Sequence, residues 1–306
     1  MRRLVIVLVV CVFLSVGSVA QTPNRRVAVT IDDAPVVNEL TDIGNFRRVT
    51  AGLIGQFVSN KVPTTVFVNE RQLNVPGQRD ARVAALEQWL DAGFALGNHG
   101  YQHLSANDVP VTRFADDVLK GEVVTRALLE SRGRTLEWFR YPYLHSGTNA
   151  ESHQQIVDFL ASRQYKVAHV TVDYADYSFA GAYTRELRAG RPEQAARIRQ
   201  AYIDQVDVGF DYAEKASVEL FGREIPQILL IHCNELNSVA LGETFARMRA
   251  RGYSFITLDD AVTDPVYQRP DTFTGPGGSW LSRTATSMGR KIQAKPPQVP
   301  GWVSSN

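Results

Sequence analysis

The chain has 306 residues with 33 basic against 32 acidic, 44% hydrophobic and 21% charged, which suits one large globular domain or two modest ones. That composition excludes collagen, coiled coil and wholesale disorder, and the near-zero bulk charge asks for neither nucleic acid nor an anionic membrane surface. The start of the chain departs from this average. Arg2 and Arg3 precede an apolar run from Leu4 to Leu14, and small residues follow up to Ser18-Val19-Ala20. This is the pattern of a secretory signal peptide over residues 1–20, expected to be cut after Ala20. The run is short for a bilayer span of about 20 residues, so cleavage is favoured over an uncleaved anchor and no stable membrane insertion is expected afterwards. Cleavage removes Cys11 and leaves Cys233 as the sole cysteine, so no intrachain disulfide can form and stability must come from the core.

Strands and helices then alternate. Arg26 to Ile31 is a β-branched run that reads as a buried strand, followed by helical spacing over Asn45 to Asn60, with Leu53 and Phe57 four apart. Thr64 to Val68 is the next strand. Arg79 to Asp91 is a helix ended by Gly93, Phe94 to Gly97 a short strand, and Val111 to Ser131 a long helix. Strands over Leu136 to Phe139 and Lys166 to Val172 flank a helix over Glu151 to Ser162. Pro192 to Leu220 is mostly helical, Gln227 to Ile231 is the most apolar strand, Leu241, Phe245 and Met248 mark another helix, and Tyr253 to Leu258 is a final strand. Interleaving of this kind predicts a parallel α/β sheet covered by helices. About seven strands in one series favour a single, distorted (β/α) barrel over residues 26–264, with an open doubly wound sheet as the alternative. Beyond Asp264, Pro265, Pro270, Pro276, Pro296, Pro297 and Pro300 with Gly275, Gly277 and Gly278 predict a tail that wraps the domain and then frays, with Trp280 and Leu281 docking as a short helix.

Ionisable residues cluster where the strands end. The first strand runs into Asp32-Asp33, the third into Asn98-His99 with His103 four residues on, and the fourth into Arg140-Tyr141-Pro142-Tyr143. The fifth runs into Asp173 with Asp176 three later, and the sixth into His232. In parallel α/β folds the carboxyl ends of the strands share one rim, where sites are built. Singly, each piece has a plain structural reading: a turn, a surface arginine, a core histidine. Five at strand ends in one chain point to a site. The His-x-x-x-His spacing is not a zincin helix, since Gly100 stands where that motif needs glutamate. Two imidazoles and one carboxylate suit Zn²⁺ or a similar divalent ion with open positions. Side chains alternate along an extended strand, so of Asp32 and Asp33 one could bind metal while the other acts as a base, and the spacing leaves open which.

With these motifs in this order, the chain from Arg26 to Asp264 resembles the polysaccharide deacetylases with a NodB homology domain, carbohydrate esterase family 4. Thr30-Ile31-Asp32-Asp33 is similar to its T-F-D-D motif, His99 to His103 to H-[S/T]-x-x-H, and Arg140 to Tyr143 to R-x-P-Y. Asp173 to Tyr177 is similar to D-x-x-D-W and Leu230-Ile231-His232 to L-x-H. The resemblance implies a metal-dependent deacetylase of an acetylated carbohydrate. Asp33, His99 and His103 would hold the metal, Zn²⁺ first and Co²⁺ or Ni²⁺ next, and Asp32 would be the general base, oriented by Arg140. The Tyr143 backbone N–H would stabilise the oxyanion, and His232, held by Asp176, would be the general acid. Peptidoglycan or chitin-type N-acetylglucosamine polymers are the first substrate expected and O-acetylated polysaccharides the second, in the periplasm or outside the cell. Two other readings stand beside this one: a non-catalytic carbohydrate-binding protein on the same barrel, and a metalloamidase for a small non-sugar amide.

The chain departs from the family pattern in four places. Gly100 replaces the usual Ser or Thr, which puts the bracing of the metal loop in question, and Tyr177 replaces Trp. His145 to Gly147 follow Tyr143 in place of an immediate Gly. The stretch Gly181 to Gly222 exceeds a simple crossover, and its aromatics (Tyr183, Tyr202, Phe210, Tyr212) are expected in the core rather than on sugar. His145 is expected on the rim, His153 and His169 in structural roles, and Cys233 as a small buried neighbour of the site.

Overall fold

A computed structural model of the chain describes residues 24–37 and 42–304. The expected leader over residues 1–20 lies outside them. Among the described residues there are seven parallel strands: β1 (Arg26–Ala34), β2 (Thr64–Val68), β3 (Ala95–Asn98), β4 (Trp138–Phe139), β5 (Lys166–Val167), β6 (Gln227–His232) and β7 (Ser254–Ile256). Their order is β5-β4-β3-β2-β1-β6, and β7 pairs with β1 over Arg26 to Ala28, ahead of where β2 begins at Val29. Every residue of β2 is buried, and so is β6 from Gln227 to Ile231. Both runs are nearly all β-branched or apolar, as strands covered on both faces must be.

The predicted strand Lys166 to Val172 is a segment that changes partners. Its start, β5, pairs with β4, and its end turns to β6: Val172 bridges Leu229, Thr171 N–H donates to Ile228 O (2.9 Å), and Leu230 N–H donates to Val172 O (3.0 Å). One short segment therefore joins the two edges, and the sheet curls into the distorted barrel expected from the strand count rather than an open doubly wound sheet.

The helices around it are α1 (Ile43–Asn60), α2 (Arg79–Asp91), α3 (Val111–Lys120), α4 (Val123–Glu130), α5 (Ala150–Ser162), α6 (Asp176–Arg188), α7 (Pro192–Phe221), α8 (Glu235–Ala250) and α9 (Leu258–Ala261). The single helix expected over Val111 to Ser131 is two. Gly121 ends α3 where the backbone of Gly100 passes so closely that a Cβ on Gly121 would lie 2.3 Å from the Gly100 carbonyl carbon. The second half has its own cap: the buried Glu70 carboxylate accepts Val124 N–H (3.0 Å) and Thr125 N–H (2.7 Å), a negative charge on an open helix start. Glu70 lies in a 3₁₀ turn far away in sequence, so no local pattern could announce the break.

The long stretch before β6 is a helical hairpin, α6 and α7. Tyr202 and Phe210 are fully buried, Tyr212 nearly so, and Tyr183 packs against the core, as expected of core aromatics. The tail does not fray within the described residues. It adds α10 (Trp280–Ser287) and α11 (Gly301–Ser304), with Trp280, Leu281 and Val303 buried. Trp280 packs against Phe221, Tyr267 and His169 at ring-centroid distances of 5.8, 5.0 and 5.6 Å. No helix among the described residues is long and apolar enough to cross a membrane.

Candidate active site

Of the residues singled out at the strand ends, Asp32, Asp33, His99, His103, Tyr143, Asp173 and His232 line one cavity of about 580 Å³ at the carboxyl rim of the barrel, with Arg140 and Asp176 buried behind it. Asp32 and Asp33 both open onto it, contrary to the alternation expected of an extended strand. Asp33 has a left-handed backbone (φ 62°), and the β1–β2 register slips between Ile31 and Ala34. That local twist swings the second carboxylate round, leaving Asp32 Oδ2 3.6 Å and Asp33 Oδ1 3.7 Å from His99 Nε2.

Asp33, His99 and His103 form a cluster whose potential ligand atoms lie within 4.8 Å of one another. The two Nε2 atoms are 3.1 Å apart, and Asp33 Oδ1 is 3.6 Å from that of His103. His99 Nδ1 lies 2.8 Å from the Arg140 carbonyl oxygen, which can only accept, so Nδ1 carries the proton and the Nε2 lone pair faces the cluster. Burial and the neighbouring His103 push the His99 pKa down to about 3, so the ring is neutral, as a ligand must be. The donor set therefore fits a divalent ion that accepts nitrogen and oxygen.

The loop carrying the histidines is braced in a way that answers the departure at Gly100. This residue has φ 75°, and a Cβ there would lie 2.6 Å from Asp117 Oδ2. The Asp117 carboxylate, buried on α3, instead accepts Tyr101 N–H (3.0 Å) and Gln102 N–H (2.9 Å). Asn98 Oδ1 accepts Gly100 N–H (2.7 Å), and the Asn69 amide, oriented to satisfy both neighbours, donates to Tyr101 O and accepts His103 N–H (3.0 Å). Asp117 and Asn69 escaped the sequence reading because nothing near them in the chain marks them. Only the fold brings α3 and the end of β2 against this loop.

Asp32 is 2% exposed. Arg140 Nη1 lies 3.5 Å from Asp32 Oδ2 and Nη2 donates to Thr30 Oγ1 (2.9 Å), while Asp32 Oδ1 has no hydrogen-bond partner. Burial raises the Asp32 pKa and Arg140 opposes the rise, while Oδ2 is the oxygen that faces both Arg140 and the histidine cluster and Oδ1 is itself buried. Opposite stands His232, whose Nδ1–H donates to Asp176 Oδ1 (2.7 Å). Asp176 Oδ2 accepts the His232 backbone N–H (2.9 Å) and the side-chain amides of Asn234 (2.9 Å) and Asn237 (2.7 Å). Burial alone works against a charged imidazole, but the Asp176 charge and hydrogen bond outweigh it and raise the His232 pKa to about 10. His232 and the surrounding donors likewise hold Asp176 below its usual value against burial. Asn234 and Asn237, at the start of α8, were not singled out from the sequence.

Tyr143 is 59% exposed with φ 57°, its ring 4.5 Å from that of His103. Tyr177, 56% exposed, meets His232 edge-on at 5.7 Å. Asp173 lines the cavity, and its carboxylate accepts Ala175 N–H (2.8 Å) just before α6. His145 lies behind Tyr143 (ring centroids 5.7 Å) and against Ser105 Oγ (2.8 Å), and does not itself line the cavity. His153 lies between the carbonyl oxygens of Ser146 and Asp271, away from the cavity, and His169 is held neutral by burial, its pKa near 4. Cys233 is fully buried, and burial raises its thiol well above the usual value, so it is no nucleophile.

Fold and site together define a class: a parallel (β/α) barrel with an Asp-His-His cluster, a buried carboxylate and an aspartate-held histidine at its carboxyl rim. Residues 20–159 match the family model described as polysaccharide deacetylase, in agreement with the resemblance over the first three of the five motifs. That span contains Asp32, Asp33, His99, His103, Arg140 and Tyr143, while Asp173, Asp176 and His232 lie beyond it. No curated protein matches the chain. Among solved structures, the chain is similar to a mutant, with restored enzymatic activity, of a CE4 family pseudoenzyme from Bacillus anthracis (18% identity, 79% of this chain and 69% of that one, TM-score 0.51). It is similar to a family 4 carbohydrate esterase from Streptomyces lividans in complex with acetate (17%, 78% and 97%, TM-score 0.50). It is also similar to the Xyl-CE4 domain of a multidomain xylanase from the hindgut metagenome of Trinervitermes trinervoides (15%, 85% and 96%, TM-score 0.50). At these identities the likeness is one of fold.

Proposed function

We propose that the protein is a divalent-metal-dependent hydrolase that removes acetyl groups from a carbohydrate, N-acetylglucosamine glycans first and O-acetylated polysaccharides second. One observation carries this reading: the Asp33, His99 and His103 cluster shares a cavity with a buried carboxylate, Asp32, and with the Asp176-held His232. Asp33 and the Nε2 atoms of His99 and His103 would hold the ion, Zn²⁺ before Co²⁺ or Ni²⁺. When bound, it polarises the acyl oxygen and acidifies water.

The chain's own groups do the rest. Asp32, held by Arg140 beside the cluster, takes the proton from the attacking water on its carboxylate. The water oxygen bonds to the carbonyl carbon, and the Tyr143 backbone N–H donates to the developing oxyanion. His232 then gives its Nε2 proton to the departing amine or alcohol as the bond to carbon breaks. Asp176 stabilises the imidazolium before that step and fixes the ring through Nδ1. The leader pattern supports an exported, periplasmic or secreted enzyme.

Asp32→Asn and His232→Ala should each lower acetate release by about 10²–10⁴-fold with the metal still bound. Full hydrolysis by either variant would overturn the roles. A non-catalytic glycan binder is the second reading, given weight by the pseudoenzyme among proteins of this fold. Glycan affinity without acetate release in any metal would favour it over a hydrolase.

A further inference from the structure

We infer that the C-terminal tail builds part of the active site: Arg283 is a positioning residue that holds the Tyr143–Leu144 turn, and with it the backbone N–H offered to the oxyanion. The inference rests on the deacetylase reading above, which gives that N–H its role. It adds the element that fixes the N–H in place, drawn from a segment beyond Asp264 and so beyond all five motifs.

The turn has a backbone that must be held. Tyr143 (φ 57°, ψ 10°) and Leu144 (φ 57°) are consecutive left-handed residues, and both carry bulky side chains. Such a conformation is disfavoured for residues of this kind and persists only where the surroundings over-determine it. Local bonds supply part of the restraint: Leu144 N–H donates to Tyr141 O and His145 N–H to Pro142 O, each at 3.1 Å. The tail supplies the rest. Arg283, 5% exposed, donates from Nη1 to Leu144 O (3.0 Å) and from Nη2 to Ser146 Oγ (2.7 Å) while pairing with Asp271. Gly277 lies directly on the turn, since a Cβ there would fall 2.9 Å from the Tyr143 carbonyl oxygen and 2.8 Å from His145 Cδ2. Two further side chains bridge turn and tail. Asn107 accepts Gly147 N–H (2.9 Å) and donates to Gly275 O (2.6 Å), and the His153 ring nitrogens lie 2.8 Å from Ser146 O and 2.7 Å from Asp271 O.

The chemistry depends on this restraint because the donor must meet charge that develops only in the transition state. If Tyr143 relaxed to a negative φ, the peptide plane carrying its N–H would turn relative to the rest of the loop. A misplacement of about 1 Å costs on the order of 10²-fold in rate. The planar guanidinium reaches Leu144 O, Ser146 Oγ and Asp271 together. A lysine ammonium is a point charge that keeps the Asp271 pair without that fork.

The test compares Arg283→Lys and Gly277→Ala with Met248→Ala, a fully buried change on α8 that serves as a stability control. The metal-loaded proteins are measured for kcat and KM in acetate release, for Zn²⁺ affinity and for thermal unfolding. Affinity is also measured for a saccharide with a methylphosphonyl group in place of the acetyl, whose tetrahedral phosphorus presents the oxyanion. Arg283→Lys and Gly277→Ala should each lower kcat about 10–100-fold, with KM and Zn²⁺ affinity within about twofold of the parent. Affinity for the phosphonyl analogue should fall by the same factor as kcat. Met248→Ala should lower the melting temperature and keep kcat within about twofold. Parent values of kcat and analogue affinity in both tail variants would overturn the inference and leave the deacetylase reading intact. So would a kcat loss that Met248→Ala reproduces at equal loss of stability. A parent protein that binds metal yet frees no acetate from any N- or O-acetylated saccharide would instead bring down that reading and this inference with it.

Discussion

Asp117 shows how one side chain can stand in for a missing hydroxyl. Where a serine or threonine would sit, Gly100 leaves room for a carboxylate that clamps two N–H groups of the metal loop. Asp117→Ala should weaken Zn²⁺ affinity about 10–100-fold, read by chelator competition, because the loop that aims His103 loses its anchor. An unchanged affinity would show that the loop holds its shape without it. The pairing of His232 with Asp176 makes a pH prediction of definite sign. His232 stays protonated well above the ordinary 6.5 because Asp176 raises it, so the alkaline limb of kcat/KM should lie high. Asp176→Asn removes the partner's charge and should move that limb toward neutral pH. A bound divalent ion lowers both limbs by favouring ionised Asp32 and neutral His232, but it acts on both proteins alike and leaves the direction of the difference unchanged. An alkaline limb that does not move would show that Asp176 only supports the fold.

At the scale of elements, the tail is a structural member of the barrel. Trp280 fills a buried aromatic nest between α7, the segment after β5 and the turn at Tyr267. Trp280→Ala should cost about 3–5 kcal/mol, measured by denaturant unfolding, since a large buried ring leaves a cavity. A loss below about 1 kcal/mol would mean that the tail packs independently of the domain. The elements that the sequence made legible are those with a strong internal period or a β-branched run, such as Arg79–Asp91, which has the bounds the spacing predicts, and the strands ending at Val68 and His232. What escaped depends on contacts between distant residues. The break between α3 and α4 comes from a backbone crossing at Gly100 and a cap supplied by Glu70. The exchange of partners along Lys166 to Val172 exists only once the sheet curls. The joint orientation of Asp32 and Asp33 needed a positive φ that residue type alone does not signal. The strand-end residues were legible because a parallel sheet brings its carboxyl ends together whatever their separation in sequence. The braces behind them were not.

For the molecule as a whole, the site is a source of pH-dependent stability. His232, raised from 6.5 to about 10, contributes stability that is complete below about pH 6.5 and is lost as pH rises through 10. Asp176, held below 3.8, contributes stability present above that value and lost as pH falls through its lower folded value. The pair therefore stabilises the folded chain most between these limits, and His232→Ala should flatten the alkaline side of a plot of thermal stability against pH. An alkaline side identical to that of the parent would contradict the raised His232. Whether Asp33, His99 and His103 hold an ion serving a hydrolysis carried by Asp32 and His232 is decided by measuring acetate release by the protein comprising residues 21–306. The protein is stripped of metal and reloaded with Zn²⁺, Co²⁺ or Ni²⁺, with metal content measured alongside. No release is expected without metal, full release is restored at one equivalent, and Asp32→Asn loses release while keeping its metal. Metal bound at one equivalent, with no acetate freed from any N- or O-acetylated saccharide, would contradict that assignment.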